Sequence, residues 1–487
     1  MTTSDTGATP AYVAPHGERH PAALPTLFFT EMWERFSYYG MRALLVLYLV
    51  NALGYPRADA LAVYGTYTAL VYLTPILGGY LADRYLGYRQ SILIGGVVMA
   101  MGHFAMAFPA LLLPALGLII VGNGFFKPNI STLLGTLYRE HDPRRDGGFT
   151  IFYIGINLGA FIAPLVAGTL GEEIGWHWGF ASAGVGMLFA TTWFVRGQHK
   201  LGSAGLAPGR DRLDGRAWLN IGLISAFVVP LVYGVIVAGR ALTPLWHHIG
   251  TEFKIGIPVA AFIAYLAWQR RTCAREEWHR VLAIVIVCFF VIFFWTGFEQ
   301  AGGTMNLFAD KLTDRALLGW EIPASYFQGI NPLLIILLGP LFSMLWTRWD
   351  QSRFALPVSA KMGVGIIIMG AGFIVLAIAQ GRAESLGRVR PQWLFFVYLL
   401  HTVGELCLSP IGLSMVTRLA PVRLAAIMMG LWFTANAIAN YLAGTLESLL
   451  TGSSIPLYWF LVGSSLGAGL LLLLITPLLK YLMHGKG

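Results

Sequence analysis

Residues 30–42 read TEMWERFSYYGMR, and four of these thirteen side chains carry a charge: Glu31, Glu34, Arg35 and Arg42. Apolar runs flank the stretch on both sides, LPTLFF at 24–29 and ALLVLYLV at 43–50. A helix that crosses a bilayer needs about 20 mostly apolar residues, and residues 25–51 are long enough. Charged groups inside such a helix are expensive and mark a functional site by default. The stretch therefore predicts a membrane helix with a polar site inside it.

The composition of the whole chain agrees with this prediction. Of 487 residues 56% are hydrophobic and only 12% are charged, with mean hydropathy +0.65, whereas a soluble globular protein has about 25% charged residues. These values exclude a soluble enzyme, a disordered chain and a disulfide-rich secreted module. The lipid bilayer is therefore the expected partner of the chain's apolar surface. The net charge of +9 requires no nucleic acid, because Lys and Arg gather in the cytoplasmic loops of membrane proteins.

Hydropathy predicts an all-α membrane protein with fourteen spans. Each span is longer than the strands of an outer-membrane barrel, which have roughly 10 residues. The expected spans are 25–51, 58–82, 90–110, 113–137, 149–172, 177–196, 217–239, 253–270, 281–309, 323–347, 357–380, 391–416, 423–448 and 455–482. With the N-terminus in the cytoplasm, inner loops and tails hold 22 of the 33 Lys and Arg and outer loops hold 8. This bias predicts that both termini are cytoplasmic.

The spans are arranged as six, two and six. We expect a tail at 1–24, a six-helix bundle at 25–196, linkers with an inserted helix pair at 197–280, a second six-helix bundle at 281–482 and a tail at 483–487. Two matched bundles predict a transporter that rocks around a central site. The alternative is that the inserted pair is peripheral or interfacial.

Three more charges lie well inside predicted spans. They are Lys127 in span 4 of the first bundle, and Glu299 and Glu405 in spans 7 and 10 when the inserted pair is left out of the numbering. Buried ions demand partners, so we predict two pairs across the bundles, Arg42 with Glu299 and Lys127 with Glu405. Pairs that form and break can act as gates. The alternative is that they are static ion pairs that hold helices together.

Four acids and three bases leave one carboxylate without a partner, which predicts a proton site. The same mixture of charges suits a zwitterionic ligand, because a guanidinium binds a carboxylate in two-point geometry and a glutamate binds an ammonium. Aromatic walls for such a ligand are expected from Tyr38, Tyr39, Tyr67, Trp295, Trp432 and Phe433.

These motifs resemble those of the proton-dependent oligopeptide transporter family of the major facilitator superfamily. The signature E-x-x-E-R-F-x-Y-Y-G is complete from Glu31 to Gly40. Further matches, which together cover nearly the whole chain, are GYLADRYLGYR (79–89), GNGFFKPNIS (122–131), FTIFYIGINLG (149–159), FEQ (298–300), FQGINP (327–332) and ELCLSP (405–410). The inserted helix pair is similar to that of bacterial members, which implies a multi-pass protein of the bacterial inner membrane. We expect it to act as a monomer.

The resemblance also implies roles for individual residues. Arg35 and Arg42 would bind the carboxylate of a peptide with Lys127 nearby, and Glu405 would bind its amino group with Asn157 and Asn331. Tyr39, Tyr67, Trp295, Trp432 and Phe433 would line the pocket. Glu31, Glu34, Arg35 and Glu299 would form the proton-coupling set. In the alternative interpretation, Glu31 and Glu34 only neutralise Arg35, and Asn331 only caps the chain at Pro332.

The predicted function is a secondary symporter that imports di- and tripeptides with protons by alternating access. No G-x-x-x-x-G-K-[ST] motif for ATP is present, so the proton gradient is the expected energy source and no cofactor is expected. Cys273, Cys288 and Cys407 form no metal-binding pattern, and no nucleophile–base pairing indicates an enzyme. The alternatives are the same fold carrying nitrate, amino acids or drugs, and a receptor or channel that does not transport.

Overall fold

The computed structural model describes residues 19–139, 142–207, 264, 266–317, 319–353 and 355–485. The predicted inserted pair, 217–239 and 253–270, therefore lies outside the described residues except at 264 and 266–270. Residues 1–18 of the predicted N-terminal tail and 486–487 of the C-terminal tail also lie outside them.

The six spans predicted for the first bundle are all helical, with bounds within a few residues of the prediction. The helices are α1 Leu24–Leu47, α2 Arg57–Leu81, α3 Gly87–Ala105, α4 Leu112–Thr136, α5 Arg145–Gly168 and α6 Trp176–Gly197. Wider π-helical turns extend α1 over Tyr48–Ala52 and α5 over Thr169–Ile174, and a third joins α2 to α3 over Ala82–Leu86. That third turn ends at Gly87, whose φ of +71° favours glycine.

The six spans predicted for the second bundle are helical too, but three of them are interrupted. The helices are α7 Arg275–Phe298, α8 Thr304–Leu312, α9 Ile330–Asp350, α10 Val358–Leu386, α11 Gln392–Leu419, α12 Ala425–Leu450, α13 Leu457–Leu474 and α14 Thr476–Leu482. Predicted span 7 breaks after Phe298, where a 3-10 turn, Glu299–Gly302, separates α7 from α8. Another 3-10 turn, Ala324–Gly329, precedes α9, and α13 and α14 divide the last span. Two short antiparallel strands, β1 Ala316–Leu317 and β2 Trp320–Glu321, connect α8 to the second of these turns.

Within the described residues, nine helical segments are long and apolar enough to cross a membrane, and one of them is the continuous stretch Arg57–Ala105. Helix α1 is not among the nine, because it carries four charged side chains along its 24 residues. The chain is therefore a mainly helical protein of membrane-spanning composition.

Contacts between residues divide the chain into two compact units. The described residues of the first unit lie within Met1–Gly54, Leu70–Tyr233 and Pro323–Ile336, and those of the second lie within Tyr55–Ala69, Gly234–Ile322 and Leu337–Gly487. The division cuts through two helices. Helix α2 gives its first turns to the second unit, and α9 gives its first turns to the first unit.

In the first unit, glycines allow α2 and α4 to touch along their backbones. A Cβ atom on Gly78 would lie 1.9 Å from the carbonyl oxygen of Gly124, so no other residue fits there. Nearby, Thr74 Oγ1 donates a hydrogen bond of 3.0 Å to the carbonyl oxygen of Ile120. This close packing places Tyr72 of α2 beside Lys127 of α4.

Candidate functional site

The charged face of α1 is buried in the first unit. Glu31 and Arg35 are each 2% exposed and Glu34 is fully buried. The Arg35 guanidinium bonds to Glu34 through Nε and Nη2, one bond to each carboxylate oxygen, and its Nε lies 3.3 Å from Glu31 Oε1. A fork that engages a carboxylate at two points holds both side chains in a fixed orientation. One guanidinium thus serves two carboxylates, and the cluster of these three residues has a net charge of −1 when both are ionised.

Helix α4 reaches this cluster from one side. Asn123 Nδ2 donates a hydrogen bond of 3.4 Å to Glu34 Oε1. Lys127 lies four residues further on the same face of the helix, and its Nζ is 4.9 Å from the centroid of the Tyr72 ring. At this cluster, Glu31 Oε2 and Asn123 Oδ1 are buried and have no hydrogen-bond partner among the described residues. The first unit therefore contains polar atoms with binding capacity next to the charged cluster.

Aromatic rings of α1 accompany its two arginines. Arg35 Cζ lies 5.1 Å from the Tyr38 ring centroid and Arg42 Cζ lies 5.7 Å from that of Tyr39. Arg42 is only 6% exposed. A ring face attracts a cation with little desolvation cost, so these tyrosines help to keep both guanidinium groups inside the helix bundle.

Asn157 of α5 is held against α1 by the glycines on either side of it. A Cβ on Gly155 would lie 2.9 Å from the Phe28 ring, and one on Gly159 would lie 2.1 Å from the Met32 carbonyl oxygen. Asn157 itself is buried and donates a hydrogen bond of 2.9 Å to the Tyr153 carbonyl oxygen of its own helix. Asn331 also belongs to the first unit, through the first turns of α9.

In the second unit, the two predicted acids lie at buried positions. Glu299 is 2% exposed and begins the 3-10 turn after α7, and Glu405 is 8% exposed on α11. Gln300 fixes the turn to α12, since its Nε2 donates a hydrogen bond of 3.2 Å to the Ala443 carbonyl oxygen, and Thr304 Oγ1 donates one of 2.7 Å to Gln300 Oε1. The glutamine of the F-E-Q motif thus holds the backbone that carries Glu299.

The predicted aromatic residues of the second unit are buried or half-buried. Trp432 of α12 packs against α11, where a Cβ on Gly412 would lie 2.4 Å from its ring, and Phe433 beside it is half-buried. The Trp295 ring centroid lies 5.1 Å from that of Phe298. Its Nε1 is buried and has no hydrogen-bond partner in the described part of the chain, which leaves a donor available to a ligand.

Tyr72 is not among the residues predicted from the sequence. The resemblance implies Tyr67 as the pocket tyrosine of span 2, yet Tyr67 belongs to the second unit and Tyr72 to the first, where it faces Lys127. Both are tyrosines in the same apolar span, and no feature of the sequence alone distinguishes them. The predicted gate pairs, Arg42 with Glu299 and Lys127 with Glu405, each combine one residue from each unit, and they stay predictions.

Comparison with known proteins decides the family. A family model described as the POT family matches residues 89–458. The chain belongs to the POT family. The resemblance found in the sequence is thereby confirmed.

Relatives and solved structures agree with this membership. The chain is 37% identical over 496 residues to the peptide transporter YePEPT of Yersinia enterocolitica, covering 96% of each chain. It is 35% identical to a di-/tripeptide transporter of Lactococcus lactis subsp. cremoris, covering 94% of this chain and 96% of that one. A crystal structure of the peptide transporter POT in complex with sulfate is similar with a TM-score of 0.84, at 37% identity and 98% coverage of both chains. The POT-family chain is thus a membrane transporter and not an enzyme.

Among the described residues, no group of three or more His, Cys, Asp or Glu side chains is placed to hold a metal ion. The three cysteines are free thiols.

Proposed function

We propose that this chain is a proton-coupled symporter that imports di- and tripeptides by alternating access. The observation that carries the proposal is the buried Glu31–Glu34–Arg35 cluster of α1, with Lys127 in the same unit. Buried charges of both signs in membrane helices are costly and serve substrates or ions that pass through. The relatives named as peptide transporters support peptides as the cargo.

The charge distribution between the units matches the two ends of a peptide. All three predicted cationic groups, Arg35, Arg42 and Lys127, belong to the first unit, whereas Glu299 and Glu405 belong to the second. In the proposed complex the arginines and Lys127 bind the peptide carboxylate, and Glu405 binds the amino group with help from Asn157 and Asn331. Nitrate has no ammonium for Glu405 to bind, which argues against a simple anion as the cargo.

The aromatic residues supply the walls that adapt to different side chains. Tyr39, Tyr67, Trp295, Trp432 and Phe433 remain the proposed lining, and the contact of Tyr72 with Lys127 adds a sixth ring. Nε1 of Trp295 has no hydrogen-bond partner among the described residues, and in this proposal it donates to a backbone carbonyl of the peptide. A few polar groups set in an apolar and aromatic wall are typical of small-molecule sites.

Proton coupling is assigned to Glu31, Glu34, Arg35 and Glu299. Glu31 Oε2 makes no hydrogen bond within the part of the chain that the structure describes, so it can carry a proton without losing one of those bonds. Protonation of Glu299 would weaken its proposed pair with Arg42 and free that arginine for the substrate. In this scheme the chain has fourteen spans in the bacterial inner membrane, with both termini in the cytoplasm, and acts as a monomer without a cofactor.

Reconstitution tests the proposal directly. The purified chain is placed in liposomes with an imposed inward pH gradient and labelled dialanine. We expect saturable accumulation that disappears when a protonophore collapses the gradient. Unlabelled tripeptide should compete, whereas nitrate and single amino acids should not. Accumulation without a gradient, or competition by nitrate alone, would contradict the proposal.

A further inference from the structure

The carboxylate of Glu172 binds the N-terminus of a long helical stretch. Glu172 lies in the π-helical turn that extends α5, and the stretch Ala324–Asp350, of 27 residues, contains the 3-10 turn and α9. The Glu172 oxygens accept hydrogen bonds from the backbone N–H groups of Ala324, at 2.7 Å, and Ser325, at 3.0 Å. The first N–H groups of a helix have no partner within it, and a negative charge there is stabilising.

Three further contacts join the same two segments. Thr169 Oγ1 and the Tyr326 hydroxyl are 2.6 Å apart. A Cβ atom on Gly168 would lie 2.1 Å from Ser325 Oγ and 3.3 Å from Ser325 Cβ, so the two segments approach each other closely at this point. Gly329 approaches Pro164, with 3.3 Å between the ring and an added Cβ. Ala324 and Ser325 are fully buried by this packing.

The two segments belong to different halves of the predicted transporter. Helix α5 lies in the first predicted bundle, 25–196, and α9 lies in the second, 281–482. The structure nevertheless places Pro323–Ile336 in the same compact unit as α5, while the rest of α9 belongs to the other unit. Under the predicted topology both Glu172 and Ala324 lie at the outer ends of their spans. If the bundles rock, these contacts break whenever the outer side opens.

We propose that Glu172 is a positioning residue for transport, which holds the outer side closed by capping the N-terminus of the span that contains α9. This inference rests on the proposed alternating-access function. The bonds between Glu172 and the backbone of Ala324 and Ser325 form in outward-closed conformations and are replaced by water when the outer side opens. Glu172 thus sets the balance between outward-closed and outward-open conformations without touching the peptide.

The reactivity of an introduced cysteine measures the balance between outward-closed and outward-open conformations. Ser325→Cys is introduced after Cys273, Cys288 and Cys407 have been replaced by serine, and a membrane-impermeant maleimide is added from outside. In the closed state the new thiol is buried against Gly168. With Glu172→Gln added, the amide NH₂ opposes one backbone N–H and the charge is lost. Labelling should become at least about tenfold faster, which is the effect of losing one charge-assisted hydrogen bond.

Glu173→Gln is the matched control, since it removes the same charge from the exposed neighbouring residue. It should leave the labelling rate unchanged. Equal labelling rates for Glu172→Gln and the unaltered reporter would overturn the inference, and so would equal acceleration by both substitutions.

Uptake kinetics provide a second measurement that needs no reporter. A carrier that is mostly closed to the outside binds external peptide with an affinity reduced by the closed fraction. Glu172→Gln should therefore lower the KM for external dialanine several-fold at an unchanged amount of folded protein. A loss of kcat with unchanged KM would mean that Glu172 is only structural.

A disulfide between the two segments tests the proposal by locking the outer side closed. An added Cβ on Gly168 would lie 3.3 Å from Ser325 Cβ, close to the separation in disulfides. Oxidised Gly168→Cys/Ser325→Cys protein should lose uptake, and a reductant should restore it. Full activity of the oxidised, cross-linked protein would contradict the proposal. Labelling and cross-linking require no substrate, so they test Glu172 separately from the cargo. If Glu172→Gln accelerates labelling but the protein does not transport dialanine, the proposed cargo is rejected and the role of Glu172 is retained.

Discussion

The Nζ atom of Lys127 lies 4.9 Å from the centroid of the Tyr72 ring. The contact exists because α2 and α4 pack backbone to backbone at Gly78 and Gly124. Lys127 is half-buried, and an aromatic face stabilises an ammonium group by about 0.5–2 kcal/mol. Tyr72 therefore helps to hold the Lys127 ammonium in place where the proposed site needs it.

Replacing Tyr72 by leucine should reduce dialanine uptake about two- to thirtyfold, the kinetic equivalent of losing that cation–π energy. Tyr72→Phe keeps the ring face and should retain most of the activity. Tyr67→Leu is the comparison that separates the two tyrosines. If Tyr72→Leu transported normally while Tyr67→Leu did not, the sequence-based choice of Tyr67 would be the better one.

The helices were predictable because each leaves a long signal in the sequence. A run of about 20 apolar residues is recognised whatever surrounds it, so helices occupy the twelve predicted spans outside the inserted pair, close to their expected bounds. The break between α7 and α8 was not predicted. The sequence Glu299-Gln-Ala-Gly-Gly is too short to interrupt a hydropathy profile, although its glycines weaken a helix.

Tyr72 and Glu172 were missed for a different reason. Tyr72 lies five residues after Tyr67, so the two point about 140° apart around the helix axis at 3.6 residues per turn. Only the packing of α2 against α4 reveals which of these directions faces Lys127. Glu172 lies at the end of a predicted span, where an acid is normally a solvated loop residue. Its role depends on the backbone of residues more than 150 positions away.

Lys127→Ala should impair uptake strongly, because it removes a cation that the proposed peptide carboxylate and the predicted gate with Glu405 both use. The measurement is pH-driven dialanine uptake at matched protein amounts in liposomes. Lys311→Ala, at an exposed lysine of α8, controls for the loss of a positive charge. Near-normal uptake by Lys127→Ala would leave the predicted gate without support.

Glu299→Gln should abolish proton-driven accumulation and leave counterflow exchange in place. The amide has the same shape as the acid, and the turn stays fixed by Gln300, so the fold is expected to survive. Glu384→Gln removes an exposed carboxylate and should behave like the unaltered protein. Normal gradient-driven accumulation by Glu299→Gln would refute its coupling role.

Arg35→Lys preserves the charge in the α1 cluster but removes the planar fork that bonds Glu34 at two points. Lysine cannot reproduce that geometry, so Glu34 and Glu31 should lose their fixed orientation. We expect the KM for dialanine to rise about tenfold or more, consistent with the loss of one charged hydrogen bond. Arg348→Lys, at an exposed position, is the control. An unchanged KM for Arg35→Lys would argue against two-point binding of the peptide carboxylate by Arg35.

Lys361 and Asp350 offer a test of stability away from the proposed site. Lys361 Nζ is 2.7 Å from Asp350 Oδ2 and 4.9 Å from the Trp346 ring centroid. The lysine side chain is 6% exposed and that of the aspartate is 49% exposed. Asp350→Asn leaves a buried ammonium without its counter-charge, which we expect to cost about 1–2 kcal/mol after allowance for the exposed partner.

Lys361→Met removes the buried charge itself and keeps the apolar stem, so it should destabilise the protein less than Asp350→Asn. The double variant should then be no less stable than Asp350→Asn alone. With methionine at position 361, no buried ammonium is left without its counter-charge when Asp350 becomes asparagine. Thermal unfolding of the three variants in one detergent gives the order. A double variant whose loss of Tm equals the sum of the two single losses would show that the two residues do not interact.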